Sequence, residues 1–241
     1  MPIESREFKI GVLASGGGST FEAIYHAIEQ GNLPGVEIAF VACNNGPNNP
    51  SAGVWERANR LHVPIYHVSN ATEPNRTFPE VDGEEVEGAI SHGVSNRLLD
   101  LADSEGIGMY VALGYMRKII GRVLQEVPIT NNHPGPLGPK LLTAGEHGDG
   151  VQEKVLRLGL SHSGPTMHWM DTRVDENGLP AYDSGPEIGH EPVEVTEEMK
   201  EEWARCGTVK LLKEAVMDVE KKMTPRWITR ARDQVLSDSC S

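Results

Sequence analysis

Cysteine is scarce and unpatterned in these 241 residues: Cys43, Cys206 and Cys240 are an odd number without metal-ligand spacing. They read as reduced thiols of a cytosolic protein, not as a disulfide framework. Long apolar runs are missing too. No stretch approaches the roughly 18 uninterrupted apolar residues that a membrane helix needs. The opening MPIESREFKI has no apolar h-region and carries charge at once, which argues against a secretory signal. Positive charge is in deficit, with 22 Lys and Arg against 35 Asp and Glu and a formal net charge of −13. That average field repels a long polyanion and excludes nucleic acid as an expected partner, while a local basic patch could still hold one phosphate. Histidines occur, but His147, His162 and His190 show neither H-x-x-x-H nor H-x-E spacing, so no metal site is expected. The expectation is a soluble, cytoplasmic protein that does not engage a membrane.

What the chain does have is a regular alternation of patterns. KIGVLA (Lys9 to Ala14), VEIAFVAC (Val36 to Cys43), VPIYHV (Val63 to Val68) and GMYVALG (Gly108 to Gly114) are short apolar runs of buried-strand type. Between them lie helical stripes: Phe21, Ile24 and Ile28, with Ser19 or Thr20 as N-cap and Gly31 as stop; Val54, Ala58 and Leu61; then Val94, Leu98 and Leu101. YMRKIIGRVL follows the fourth strand and leads to VPIT, a fifth. Such alternation predicts an α/β fold, a doubly wound and mostly parallel sheet with helices on both faces. Pro165 to Asp171 and Pro186 to Val195 read as two further strands joined by a polar turn at Asp175 to Gly178, an antiparallel addition. Val209, Leu212, Val216, Val219 and Met223 mark a long final helix whose charged face, with Lys213, Glu214, Lys221 and Lys222, reads as solvated. PRWITRARDQ near the C-terminus either caps the sheet, the plainer reading, or docks on a second subunit, so a homodimer stays open.

Two places carry chemistry. The first strand runs into Ser15-Gly16-Gly17-Gly18-Ser19-Thr20 and straight into a helix. Glycines let backbone N–H groups approach an anion, and the helix N-terminus adds a favourable field. A full dinucleotide fits poorly, because Phe21 stands where the third glycine of G-x-G-x-x-G belongs and Cys43-Asn44-Asn45 where a ribose-binding acid belongs. A Walker lysine is absent. A phosphate monoester on a small substrate is the better reading, with a merely tight strand-to-helix turn as the bland alternative.

The second place is Asn131-Asn132-His133-Pro134-Gly135-Pro136, at the carboxyl end of VPIT, where sites form on parallel sheets. Asp183-Ser184-Gly185-Pro186 later places a carboxylate on a turn. An amide can stabilise a developing oxyanion, an imidazole can donate to it, and a carboxylate can steer protons from an attacking amine. Together they suit acyl transfer to an amine without a covalent intermediate. Alone, His133 or His168 reads more readily as a satisfied structural histidine.

Taken in order, these pieces resemble the phosphoribosylglycinamide formyltransferase family, folate-dependent enzymes of purine synthesis. SGGGST matches the family's S-G-x-G-S-N loop and LGYMRKI (Leu113 to Ile119) its A-G-F-M-R-I-L segment. NNHPG matches N-I-H-P-S, TMHWM (Thr166 to Met170) matches S-V-H-F-V, and DSGP matches D-G-G-P. The motifs span about Lys9 to Val195. The resemblance implies one formyltransferase domain over 1–241: a Rossmann-like phosphate- or nucleotide-binding half at 9–114, a folate and catalytic half at 115–195, and a C-terminal helix and tail at 196–241. It implies that Asn131 binds the formyl oxygen, that His133 assists as proton donor and that Asp183 accepts or relays the amine proton, with His168 in support. Gly16, Gly17, Gly18, Ser19 and Thr20 would hold a 5′-phosphate, and the backbone around Tyr115, Met116, Arg117 and Lys118 the pterin of 10-formyltetrahydrofolate, the co-substrate. The amine would be that of glycinamide ribonucleotide; another phosphorylated sugar or nucleotide amine, or a catalytically silent folate- or phosphate-binding homologue, are the alternatives. Departures from the family pattern are Gly135 in place of serine, Thr20 in place of asparagine, and a late helix in which Glu214 is the nearest substitute for a substrate-holding acid.

Overall fold

In the computed structural model, the described residues are 7–81, 84–86, 88–138, 140, 142–171 and 183–239. The expected turn at Asp175 to Gly178 lies outside them. In chain order the elements are β1 (Phe8–Ala14), α1 (Ser19–Glu29), β2 (Val36–Cys43), α2 (Val54–Arg60), β3 (Ile65–His67), β4 (Glu80–Val81), β5 (Glu84–Glu85), α3 (His92–Glu105) and β6 (Met109–Leu113). Then come α4 (Arg122–Glu126), β7 (Ile129–His133), α5 (Gly150–Arg157), β8 (His162–Ser163), β9 (Thr166–Trp169), β10 (Glu187–His190), β11 (Val193–Glu194), α6 (Glu197–Cys206) and α7 (Lys210–Asp238).

Seven strands form one sheet in the order β10-β9-β7-β6-β1-β2-β3. Pairing is parallel from β7 through β3, while β9 runs antiparallel to both β7 and β10. The central strands are apolar without alternation because both faces are covered. On one face Phe21 and Ile24 of α1, Val54 and Ala58 of α2, and Trp227, Ile228 and Ala231 of α7 meet Ile10, Val12 and Val41. On the other, Val94, Leu98 and Leu101 of α3 and Val123 of α4 meet Leu13, Phe40, Tyr110 and Ile129. The doubly wound sheet with its antiparallel addition is therefore the fold.

Four local expectations need correction. Neither Ser19 nor Thr20 caps α1; the N-cap is Gly18, at φ 76, with no side-chain cap bond. A Cβ there would lie 2.8 Å from Val54 Cβ, so glycine serves both the left-handed backbone and the close approach of α2. YMRKIIGRVL is helical only over Arg122–Glu126, because the chain first turns aside: Lys118 N–H donates to Gly88 O and Ile90 N–H to Lys118 O. The segment Asn70 to Gly93, whose Pro, Asn, Gly and acidic residues predict a loop opening into a helix, holds the short antiparallel pair β4–β5. Finally, the strand expected over Pro186 to Val195 is broken, with β10 on β9 and β11 on β8. Pro192, between them, has no N–H to continue a ladder.

The late helix runs through Pro225 without ending, and Trp227 packs so tightly that a Cβ on Gly189 would sit 2.2 Å from its Nε1. Among the described residues no helix is long and apolar enough to cross a membrane.

Candidate active site

Strand order reverses between β6 and β1: the chain steps outward through β2 and β3 on one side and through β7 on the other. A crevice opens at the carboxyl ends of strands at such a switch point. The loops after β1, β6 and β7 all end there. Met116 N–H donates to Ser15 Oγ at 2.8 Å, tying the first two loops together across the reversal.

The glycine loop is braced from behind by α2. Val54 N–H donates to Gly16 O at 3.2 Å and Arg57 Nη1 to Gly17 O at 2.9 Å. With those carbonyls held against α2, the amides at the start of α1 are left for a ligand. A Cβ at Gly16 or Gly17 would meet nothing within 4 Å, so open space lies beside the loop. Arg57 and Arg60 both pair with Glu22, and the pairing holds that carboxyl below its ordinary value against the opposing effect of burial. Five of the expected residues, Gly16 to Thr20, are therefore contiguous at this mouth. Thr20, however, turns its hydroxyl inward and donates to Glu220 Oε1 at 2.7 Å.

Glu220 is the residue that sequence reasoning missed. Glu214 is exposed and lies near Lys210, 3.9 Å away, on the outer face of α7. Glu220 instead faces the glycine loop, and burial raises its carboxyl above the ordinary value despite hydrogen bonds from Thr20 and Asn132. Asn132 Nδ2 also donates to Thr224 Oγ1 at 2.7 Å, and Thr224 donates in turn to Glu220 O. The second asparagine of the His-Pro stretch thus joins β7 to α7 and to the loop. A signal was available: Leu212, Val216, Glu220 and Thr224 step by four along one helical row, so the apolar stripe runs into an acid and a threonine.

Asn131 and His133 share a face of β7, and pairing with β9 sets His168 directly opposite Asn131. Asp183 joins them from a turn at φ 52, unusual for a non-glycine residue but tolerated by aspartate. Gly185 makes that turn fit, since a Cβ there would lie 1.6 Å from Trp169 O. One carboxylate oxygen, Oδ1, accepts from Asn131 Nδ2 at 3.1 Å and lies 3.3 Å from His168 Nε2. The other, Oδ2, accepts from Gly145 N–H at 3.0 Å and lies 3.4 Å from His133 Nδ1. Burial works to raise the Asp183 carboxyl, yet His168, His133 and the Gly145 N–H together hold it down at about 2. Burial pushes the His133 imidazole below its ordinary value, against the pull of Asp183. His168 Nδ1 donates to Trp169 O at 2.9 Å, and its Nε2 lies 3.3 Å from both Asn131 Nδ2 and Asp183 Oδ1.

The four expected residues after β6 divide. Tyr115 and Arg117 line a cavity with Asn44, Ser69 and Asn70, and Met116 is 55% exposed, an unusual position for so apolar a side chain. Lys118 spends its backbone N–H on Gly88 O, and its C=O already accepts from Ile90 N–H. Among the described residues no group of three or more His, Cys, Asp or Glu is placed to hold a metal ion.

Fold and crevice together define an α/β protein of the doubly wound class whose polar centre lies beside an anion-ready loop at the switch point. The chain belongs to the formyl transferase family, whose profile matches residues 8–216. It is 29% identical over 219 residues to the phosphoribosylglycinamide formyltransferase of Bacillus subtilis (strain 168), covering 90% of this chain and 91% of the relative. The chloroplastic phosphoribosylglycinamide formyltransferase of Arabidopsis thaliana is 28% identical over 174 residues, 71% of this chain and 53% of the relative. The chain spans about half the length of the plant relatives it matches. The structure of glycinamide ribonucleotide transformylase 1 from Symbiobacterium toebii is similar at a TM-score of 0.72 and 25% identity, over 95% of this chain and 89% of that one.

Proposed function

We propose that this chain transfers a formyl group from 10-formyltetrahydrofolate to the amine of glycinamide ribonucleotide. The observation that carries the reading is the convergence of Asn131, His133 and an ionised Asp183 within hydrogen-bond reach, at the mouth shared with the glycine loop. Bound folate supplies the formyl group. The exposed Met116 offers an apolar surface to a flat ring, with Tyr115 and Arg117 beside it. The backbone N–H of Lys118 takes no part. Asn131 keeps one amide N–H on Asp183 and turns the other from His168 Nε2 to the formyl oxygen, where it stabilises the developing negative charge. Asp183 draws the proton from the acceptor amine, and His133 shares it. The amides of Gly17, Gly18, Ser19 and Thr20 hold the acceptor's phosphate, helped by the field at the start of α1. Glu220, in the role expected of Glu214, accepts from an acceptor hydroxyl. The reading keeps the partition into a phosphate-binding half and a folate and catalytic half, in a cytoplasmic protein whose pairing with a second copy is not required.

The test is turnover of 10-formyltetrahydrofolate with glycinamide ribonucleotide, followed by the absorbance of the deformylated folate, against the same acceptor stripped of its phosphate. The reading expects the KM of the stripped acceptor to rise roughly a hundredfold or more, the scale of a lost charge-assisted phosphate site. Equal KM values would remove the glycine loop from the account.

Glu220 gives a second expected result. A carboxyl whose folded value is raised binds its proton more tightly in the folded state. Its stability contribution is complete below the ordinary carboxyl value of 4.5 and is lost as pH rises through the folded value. Glu220→Gln is therefore expected to melt higher than wild type at pH 8, by about 2–4 °C for each kcal/mol relieved, with the gap closing at pH 4. The acceptor KM should rise in the same variant. Scanning calorimetry at the two pH values checks this, and a variant that melts lower at both would contradict it.

A further inference from the structure

The turn Pro134-Gly135-Pro136 is held carbonyl by carbonyl. Gln152 Nε2 of α5 donates to Pro134 O at 2.5 Å, Thr166 Oγ1 of β9 donates to Gly135 O at 2.8 Å, and Thr143 Oγ1 donates to Pro136 O at 2.9 Å. Gln152 is itself fixed by Ser163, which donates to its Oε1. Of the three, only Thr143 also touches the catalytic histidine. Its Oγ1 lies 2.9 Å from His133 Nε2, and it is fully buried.

One placement of the protons makes hydrogen bonds of both Thr143 contacts. A threonine hydroxyl carries one proton, and Pro136 O carries none, so Thr143 spends its proton on Pro136. The contact with His133 can then be a hydrogen bond only if Nε2 carries a proton and donates. In the neutral ring Nδ1 is left bare, with its lone pair toward Asp183 Oδ2 at 3.4 Å. Two acceptors facing each other repel, and a proton arriving at Nδ1 turns that contact into a charge-assisted hydrogen bond.

We propose that Thr143 is a positioning residue that fixes the Nε2–H tautomer of His133 and confines proton exchange to Nδ1, on the Asp183 side. This rests on the formyl-transfer reading only for its catalytic consequence. In that transfer the bond from the acceptor nitrogen to the formyl carbon forms, and the bond from that carbon to the folate nitrogen breaks. The acceptor amine gives up one proton and the leaving nitrogen takes one up, so a proton carried in and out at Nδ1 balances the step. The Nε2 proton never moves.

Gly135 belongs to the same device. A Cβ at residue 135 would lie 2.5 Å from Thr143 Oγ1 and 2.4 Å from Val151 Cγ1. The glycine that stands where the resembling family has serine is what lets a threonine from the following loop reach the ring. The charged or titratable groups acting on His133 are Asp183, His168 and Lys154, and Lys154 is paired with Glu146 at 3.2 Å. The Thr143 backbone adds a hydrogen bond that favours the protonated ring.

The experiment has two readouts on the full chain. Nitrogen-15 NMR of the free protein, above the pH at which His133 is neutral, reads the tautomer directly: Nε2–H in wild type and in Thr143→Ser, Nδ1–H in Thr143→Val. Formyl-transfer kinetics should then show kcat lowered roughly tenfold or more in Thr143→Val, with KM unchanged and the limb of the pH profile that reports His133 displaced to lower pH. Thr143→Ser should restore both. A wild-type His133 found as Nδ1–H overturns the proposal, as does a Thr143→Val enzyme with the wild-type pH profile. The NMR readout needs no turnover, so an Nε2–H tautomer in a protein that transfers no formyl group would uphold the tautomer assignment and sink the functional reading instead. Should Thr143→Val fail to fold, the wild-type and serine spectra still decide.

Discussion

Replacing Asn131 by alanine is expected to lower kcat for formyl transfer by roughly 10²–10³-fold, the cost of one preorganised oxyanion donor, while folate binding survives. The side chain is well placed for such an effect. Its amide nitrogen donates one proton to Asp183 Oδ1 at 3.1 Å, which sets its orientation before any substrate arrives, and the other proton, beside His168 Nε2 at 3.3 Å, is the one that turns to the formyl oxygen. Removing it leaves the carboxylate with Gly145, His168 and His133, enough to keep Asp183 ionised. The lost term is therefore stabilisation of the reacting oxygen. Single-turnover kinetics beside calorimetric folate binding separate the two. A kcat within about twofold of wild type would place the oxyanion donor elsewhere.

Asp183→Asn carries the other large effect, and it appears in two measurements. Asparagine tolerates the left-handed backbone at φ 52, so the variant isolates the charge without adding strain. Two donors, Asn131 Nδ2 and Gly145 N–H, would then compete for the single amide oxygen. Loss of the proton acceptor is expected to cost roughly 10²–10⁴ in kcat. The acid limb of stability should change as well. A depressed carboxyl contributes stability that is present above its unfolded value, here 3.8, and is lost as pH falls through the folded value of about 2. The difference is on the order of 2 kcal/mol. Wild type should lose that much between pH 4 and pH 2, and the variant should lack that part of the slope. Denaturant unfolding at a series of pH values reads it, and parallel acid limbs would mean that Asp183 is not held ionised by its neighbours.

What could be read from the sequence depended on how local the determinant is. β1 with its glycine loop, and β7 with its His-Pro turn, are short contiguous patterns whose apolar runs and turn residues act on the backbone where they stand. Both were legible. His168 was legible as a motif, and its role follows from register, since pairing of β7 with β9 brings it opposite Asn131. Glu220 was legible only as an acid interrupting the apolar row of α7; its partner Thr20 is 200 positions away, and only the docking of α7 against α1 brings them together. Asn132 had no role for the same reason: its face of β7 looks toward α7, away from the catalytic centre. Thr143 sits in a loop without periodicity, and nothing but the folded turn shows that Gly135 makes room for it. The N-cap of α1 was misplaced because propensity favours a hydroxyl there, whereas the loop needs the positive φ that Gly18 supplies and sends the Thr20 hydroxyl to Glu220.

The most direct measurement follows an isotopically labelled formyl group from 10-formyltetrahydrofolate in the presence of glycinamide ribonucleotide and the enzyme. Direct transfer across the Asn131, His133 and Asp183 centre predicts label on the acceptor amine, none on the protein, and loss of that signal in Asn131→Ala. Label recovered as free formate, or carried on the protein, would contradict the account.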